Sequence, residues 1–464
     1  MVSETDILVR QATVAAHDNR FTFGDDAYFL GEDLLKIPVA SQHTWWLPTP
    51  LSADTLRSIH RGLHRGPLSR LAVESRVPGA RRRWVPAPAG DWLSVESDPI
   101  APERLMAWCD EQLSAPIDPR RGPSWWLSAT PVTGSGQLVS LVTRHTIGDG
   151  GLIVQAVDAA VTGARLPRVP DDRPEAGAVR LRDDLRDAVR QYLAAGRSLA
   201  DAVRAVRDSG SAARPDEGPA AQERARSSLR ADPESSYVPP FVAFDIAADG
   251  WRAAAERRGG TANSLLLMVS AGLAVAAGLA QEGDTIPVAM PVRRRGENDY
   301  RSNMLGGASV PVHATADRYT DLRGVRTATK TALQKVADPA QASVLERLEP
   351  VARLLPRPVI RKLVEDMPAA LVSVSNVGRM SAAGGGLGGP PALSMMCRGV
   401  HRNITPDLLR AAGGGVTTWF QEFGDRVTLT VEALDPDRIP DRHRLAVLVA
   451  DELARWDLQP LGNW

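Results

Sequence analysis

The chain has 464 residues, enough for two or three domains or for one large fold built from two halves. Hydrophobic residues make up 43% and charged residues 24%, a globular composition that excludes a disordered chain. Lys plus Arg and Asp plus Glu both number 55, so the net charge is zero and no global field exists to draw in nucleic acid. Two cysteines, Cys109 and Cys397, are too few and too far apart for a disulfide framework or a zinc cluster. No basic region followed by an apolar stretch opens the sequence, so the expectation is a cytoplasmic protein, with peripheral membrane contact left open.

In chain order, Leu51 to Leu71 carries Leu56, Ile59, Leu63 and Leu68 at helical spacing, with Ser52 suited to the helix start. Trp84 to Ser97, broken by Pro86, Pro88 and Gly90, reads as a loop leading into an extended piece. Pro102 to Leu113 is a second helix. Trp125 to Pro131 and Gln137 to Thr143 read as strands joined by the turn Thr133-Gly134-Ser135-Gly136. Past Gly151 the apolar residues Ile153, Val154, Val157 and Val161 change to helical spacing.

Leu166 to Pro240 differs from its surroundings. Ala178 to Arg207 has an amphipathic pattern in which Arg and Asp fill the faces left by Leu181, Leu185, Val189 and Leu193, as on a solvated helix. Ser209 to Pro240, rich in Pro, Ser, Ala and charge, reads as a linker or mobile crossover. The expected division is therefore residues 1–165, a crossover at 166–240, and residues 241–464.

The second half opens with a strand at Phe241 to Ile246 and a helix from about Gly250. The apolar run Ser264 to Ala280 is short for a membrane span and reads as a buried helix. Strands are expected at Thr285 to Val292, Gly307 to His313, Ala370 to Val374 and Val427 to Ala433. Helix is expected over Tyr319 to Leu363 and from Arg442 to Trp456. This alternation argues for an α/β fold of two similar subdomains.

One segment carries a candidate chemistry: Arg144-His145-Thr146-Ile147-Gly148-Asp149-Gly150-Gly151. It sets His145 at the end of a hydrophobic strand, before a glycine-bearing turn into a helix. An imidazole held there has the pKa for general-base work near neutrality. Asp149 could orient the turn through an arginine, and Gly150 and Gly151 permit close approach or unusual backbone angles. The competing reading is a satisfied strand-end histidine.

The segment resembles the HHxxxDG signature of the superfamily that contains chloramphenicol acetyltransferase, peptide-synthetase condensation domains and wax ester synthase/diacylglycerol acyltransferases. The resemblance extends to Phe29-Leu30, Leu51 to Leu71, the run Ile117 to Trp126, Thr261-Ala262-Asn263, Pro291-Val292-Arg293, Asn303 and Val374-Ser375-Asn376-Val377-Gly378. The sequence departs from the motif at its first position, where Arg144 replaces histidine. Strand alternation places Arg144 and His145 on opposite faces, leaving Arg144 to pair with a buried acid or to reach substrate.

The resemblance implies two chloramphenicol acetyltransferase-like subdomains with a tunnel between them. His145 would be the catalytic base, Asp149 a structural residue paired with Arg293, Gly150 part of the motif, and Ser375 and Asn376 the polar lining near His145. The implied reaction transfers an acyl group from a thioester of CoA or of a carrier protein to an alcohol, with no tightly bound cofactor and no metal. Amide formation from a carrier-bound donor is the second enzymatic reading, and a non-catalytic relative that binds a carrier protein or lipid is the third. A monomer is expected, since one chain supplies both halves.

Other signals carry less. Gly384 to Gly389 satisfies GxGxxG, but Pro390 and Pro391 stand where a helix should open, so it reads as a flexible loop. Arg81-Arg82-Arg83 reads as a solvated loop, with a CoA or phosphopantetheine phosphate as the alternative. Trp419-Phe420 reads as core, with a channel wall as the alternative.

Overall fold

The computed structural model describes residues 19–166, 177–208, 231–296, 299–338, 348–365 and 369–464. Two sheets organise it. The first has five strands and the second seven, with a separate two-stranded ribbon beside them.

The first half begins with helix α1, Phe23–Leu30, capped by Thr22, whose side chain accepts from the Asp25 amide. Strand β1, Val39–Leu47, then enters the sheet. Helix α2, Ala53–Arg65, starts where expected: the Ser52 hydroxyl accepts from the Thr55 amide at 3.1 Å. It ends earlier than its periodicity suggests, because Gly66-Pro67 breaks it, and Leu71 belongs to β2, Arg70–Val73. The segment expected to be a loop supplies β3, Arg83–Pro86, and β4, Leu93–Val95. Helix α3, Leu105–Gln112, precedes the antiparallel hairpin of β5, Trp125–Pro131, and β6, Gln137–Arg144, as expected. Helix α4, Gly150–Thr162, follows the motif and packs on α2.

Helix α5, Gly177–Asp208, lies where the amphipathic pattern places it, but its faces are reversed. Leu181, Leu185, Val189, Tyr192, Leu193 and Leu199 are each 49–57% exposed. Asp184 and Asp187 are buried instead. Arg81 bonds Asp187 at 2.8 Å, Arg83 bonds Asp184, and Arg20 bonds Asp183 at 2.6 Å and Asp184 at 2.7 Å. Arg82 bonds Asp26 at 2.9 Å. The Arg81–Arg83 run is therefore neither a solvated loop nor a free phosphate site; it is the basic seat into which an acidic helix face is clamped. Residues 209–230 of the expected linker lie outside the described residues.

The second half opens with β7, Phe241–Ala247, and helix α6, Ala248–Glu256. Helix α7, Ala262–Ala276, is buried continuously from Ser264 to Ala274 and forms the centre of the second core, packed on by Val288, Val374, Phe420 and Leu429. Among the described residues no helix is long and apolar enough to cross a membrane. Strands β8, Thr285–Arg293, and β9, Leu305–His313, form a hairpin. The long helix expected over Tyr319 to Leu363 is broken into α8, Arg323–Ala337, α9, Glu349–Ala352, and α10, Arg357–Glu365. Pro350 and Pro356 interrupt it, and residues 339–347 lie outside the described residues.

Strand β10, Val372–Arg379, pairs in parallel with β12, Val416–Phe423, but pairs with β8 only at Val372 and Ser373. Strand β13, Arg426–Ala433, follows β12, and after the closing helix α11, Arg442–Arg455, β14, Pro460–Asn463, adds to β7. One strand crosses between the halves: β11, Ser394–His401, pairs antiparallel with β1. The glycine-rich segment before it is packed rather than flexible. Leu387 is buried in the first core, and the Trp45 indole donates to the Gly384 carbonyl at 3.0 Å.

Candidate active site

The His145 amide donates to the Val39 carbonyl at 2.8 Å, which extends the β6–β1 ladder one residue past the strand. The chain then turns, with Ile147 donating to the Arg144 carbonyl at 2.9 Å, and Asp149 caps α4 by accepting from the Leu152 amide at 2.9 Å. Neither Gly150 nor Gly151 adopts a left-handed conformation. Gly150 lets α4 approach β10 closely, since a Cβ there would press on the Val377 side chain at 3.2 Å.

The other Asp149 oxygen faces the second half. It accepts from Arg295 Nη2 at 2.7 Å and from the Met304 amide at 2.9 Å. Arg295, not Arg293, is thus the partner of Asp149. The reason is local: β8 alternates in and out through Arg293, which points outward, and the chain leaves the ladder before Arg295 turns in. Arg295 also donates to the carbonyls of Asp299, Arg301 and Ser302, so the turn after β8 wraps the guanidinium completely enough to bury it. The outward Arg293 runs alongside the first turn of α4, with Nε 3.8 Å from where a Gly151 Cβ would sit.

Asn303 fastens the turn from the same side. Its Nδ2 donates to the carbonyls of His145 at 3.0 Å and Thr146 at 3.1 Å, and to Asp25 of α1 at 3.0 Å. Helix α1 also brings Tyr28, whose ring stacks on the His145 imidazole with centroids 4.0 Å apart and planes at 21°. Burial, reinforced by the Asp149 charge, pushes the Tyr28 phenol up to about 12. Burial holds the His145 imidazole below its usual range, against the opposing pull of Asp149, its own carbonyl and Asn303. Its Nδ1 is sealed from solvent and makes no hydrogen bond of ordinary geometry.

Two further histidines share this neighbourhood, and sequence reading missed both. His401 of β11 pairs across Val39, on the far side from His145. Its side chain is exposed at the end of β11, yet desolvation by the surrounding atoms and the charge of His145 lower its pKa. His43 lies two side-chain positions beyond Val39 on the same face of β1, with Ser41 between them, in register with Leu141 and Cys397. It is 3% exposed, neither ring nitrogen has a protein partner, and burial together with the His145 charge pushes it down to about 4.

Arg144 pairs with Ala40, one rung back, and so faces away from His145. Burial lowers its pKa while Glu32 and Asp118 pull it back up, and its Nε has no partner. On the second sheet, Ser375 is in register with Trp419, and Asn376 with Phe420. Phe420 is core, packed 5.1 Å from Trp251, so Ser375 and Trp419 face the other way. The Trp419 indole reaches 3.6 Å from where a Cβ on Gly399 would sit, two residues from His401 on β11. Trp419 thus lies against β11 of the first sheet, while Phe420 is core. Asn376 is already engaged: Nδ2 donates to Asn263 at 2.7 Å, and Oδ1 accepts from the Gly378 amide at 2.9 Å.

No family model matches this chain, and no curated protein matches it. Solved structures do. The wax ester synthase/diacylglycerol acyltransferase from Marinobacter aquaeolei VT8 is 15% identical with a TM-score of 0.54, over 94% of this chain and 98% of that one. The condensation domain from the Monacolin K polyketide synthase is 14% identical with a TM-score of 0.56, over 94% and 96%. The starter condensation domain of rhizomide synthetase, solved in complex with C8-CoA, is 12% identical with a TM-score of 0.52, over 94% of each chain. Identity this low speaks for the fold alone, and on that the matches span nearly the whole chain: it has the condensation-domain and wax ester synthase fold, two chloramphenicol acetyltransferase-like α/β subdomains in one polypeptide.

Proposed function

We propose that the protein transfers an acyl group from a thioester to an alcohol, with His145 as general base. The observation that carries this reading is the His145 imidazole itself. Burial favours its neutral form, Tyr28 stacks on it, and it is held by a turn that Asn303 and the Arg295–Asp149 pair tie to the other half. With Nδ1 sealed, Nε2 is the nitrogen left to meet a substrate.

The acceptor O–H would give its proton to Nε2 as the oxygen attacks the thioester carbonyl carbon. The tetrahedral adduct would then collapse, the C–S bond breaking and the imidazolium returning the proton to the leaving sulfur. The products are an ester and a free thiol, and no covalent enzyme intermediate forms. Ser375, in register with Trp419 on the second sheet, would line the path to His145. The donor is an acyl-CoA, as bound by the rhizomide domain, or an acyl group on a carrier protein. One chain supplies both halves, so the working unit is a monomer.

The test is thiol release with product mass detection, using acyl-CoAs, carrier-loaded acyl groups, alcohols and amines. His145→Ala is expected to lose about 10²–10⁴-fold in acceptor-dependent release. An amide mass would replace the ester reading with condensation. Undiminished release by His145→Ala would remove the base assignment.

A further inference from the structure

We propose that the outward face of α5 docks this protein on an anionic lipid surface. On a soluble domain an amphipathic helix turns its apolar stripe inward. Here the acidic face is turned inward and bonded to Arg20, Arg81 and Arg83, which leaves the apolar face outside. At about 100° per residue, the six exposed apolar side chains from Leu181 to Leu199 fall within an arc of about 120° and extend roughly 27 Å along the helix.

Charge selects the occupant. Arg182, Arg186, Arg190 and Arg197 are all exposed and lie along one flank of that arc. Of the acids nearest them, Asp183, Asp184 and Asp187 are bonded to arginines of the first half, and Asp201 is bonded to Arg204 of α5 itself. An apolar stripe bordered by guanidinium groups fits a bilayer interface, with the apolar side chains among the acyl chains and the arginines at the phosphates. A second copy laid antiparallel on the same stripe would bring this arginine flank close to its own duplicate.

The placement has a use. Arg20, bonded to α5, directly precedes Phe21 and α1, whose Tyr28 covers His145. A bilayer on the outward face of α5 would stand one helix thickness, about 10 Å, from the Arg20 end of the segment that covers the site, near enough for a long-chain substrate to be drawn from lipid. That use rests on the acyl-transfer reading; lipid binding does not.

The experiment is flotation of the full chain with vesicles of phosphatidylcholine, with and without phosphatidylserine, at low and high salt. Light scattering in lipid-free buffer runs alongside. The wild type is expected to float with phosphatidylserine vesicles, less so at high salt, and to be monomeric without lipid. Leu185→Glu/Val189→Glu/Leu193→Glu, and separately Arg182→Gln/Arg186→Gln/Arg190→Gln, should each lower vesicle binding about tenfold or more. Both should keep the wild-type melting temperature and wild-type release from a soluble short-chain thioester. Wild type that floats with neither vesicle, or variants that float as well as it does, would overturn the proposal. So would equal binding to pure phosphatidylcholine, or a lipid-free dimer dispersed by the Glu substitutions. Capture of an acidic carrier protein without vesicle binding would assign the face to that partner instead.

Discussion

Arg295 and Asp149 lie 146 residues apart and bond at 2.7 Å between the two halves, both fully buried. This pair, rather than the histidine, makes the site a junction. Removing one partner of such a pair leaves an uncompensated charge in the interior. Arg295→Ala should therefore cost about 3–5 kcal/mol in chemical denaturation. Arg293→Ala, at an exposed position, should stay within about 0.5 kcal/mol. Equal losses from the two would show that the ion pair does not anchor the turn.

The depressed pKa of His145 sets the acid limb of activity. A general base works when neutral, and burial keeps the imidazole neutral to pH values below its usual 6.5. Plotted against pH, kcat/KM should rise through an apparent pKa below 6.5 and be flat across neutrality. Tyr28→Ala, which opens one face of the ring to water, should move this limb upward toward the ordinary imidazole value. A limb at or above 6.5 in the wild type would contradict the buried, neutral base.

His43 makes stability itself pH-dependent. Its pKa is 6.5 in the unfolded chain and about 4 when folded, so between these values the unfolded state binds the extra proton. Stability is then fully present above about pH 6.5 and falls with pH, by up to about 3 kcal/mol at pH 4. Urea titrations of the wild type and His43→Phe from about pH 7 to pH 4 should show a shallower acid loss in the variant. Parallel curves would mean that His43 takes up its proton alike in both states.

Helices α2 and α4 pack so closely that a Cβ on Gly62 would lie 2.6 Å from the Ala160 Cα and 2.8 Å from its carbonyl oxygen. These are backbone atoms and cannot rotate away. Gly62→Ala should destabilise by about 1–3 kcal/mol, visible as a lower melting temperature. A variant as stable as wild type would show that the helices can separate freely.

The motif turn was legible because two patterns meet there: a hydrophobic strand ends and a helix begins, with glycines between. The orientation of α5 was not legible. Periodicity tells which residues share a face but not which face meets protein, and that is settled by Arg20, Arg81 and Arg83, distant in sequence. Arg293 was favoured over Arg295 by its place in a motif, whereas the end of β8 decides which arginine turns inward. Tyr28, His43 and His401 carry no local signal; α1 and the register of β1 with β6 and β11 bring them to His145.

Strand β11 also bears on how the chain comes to be folded. The sheet begun by residues 39–47 gains its edge strand only when residues 394–401 arrive, after nearly all of the chain has been made. During synthesis β1 would wait with one row of backbone groups unpaired, a template for any passing strand. A polypeptide severed between the halves would expose that same edge on one fragment and the orphaned β11 on the other. Mixed together, the two fragments would be drawn to reassemble through the missing ladder.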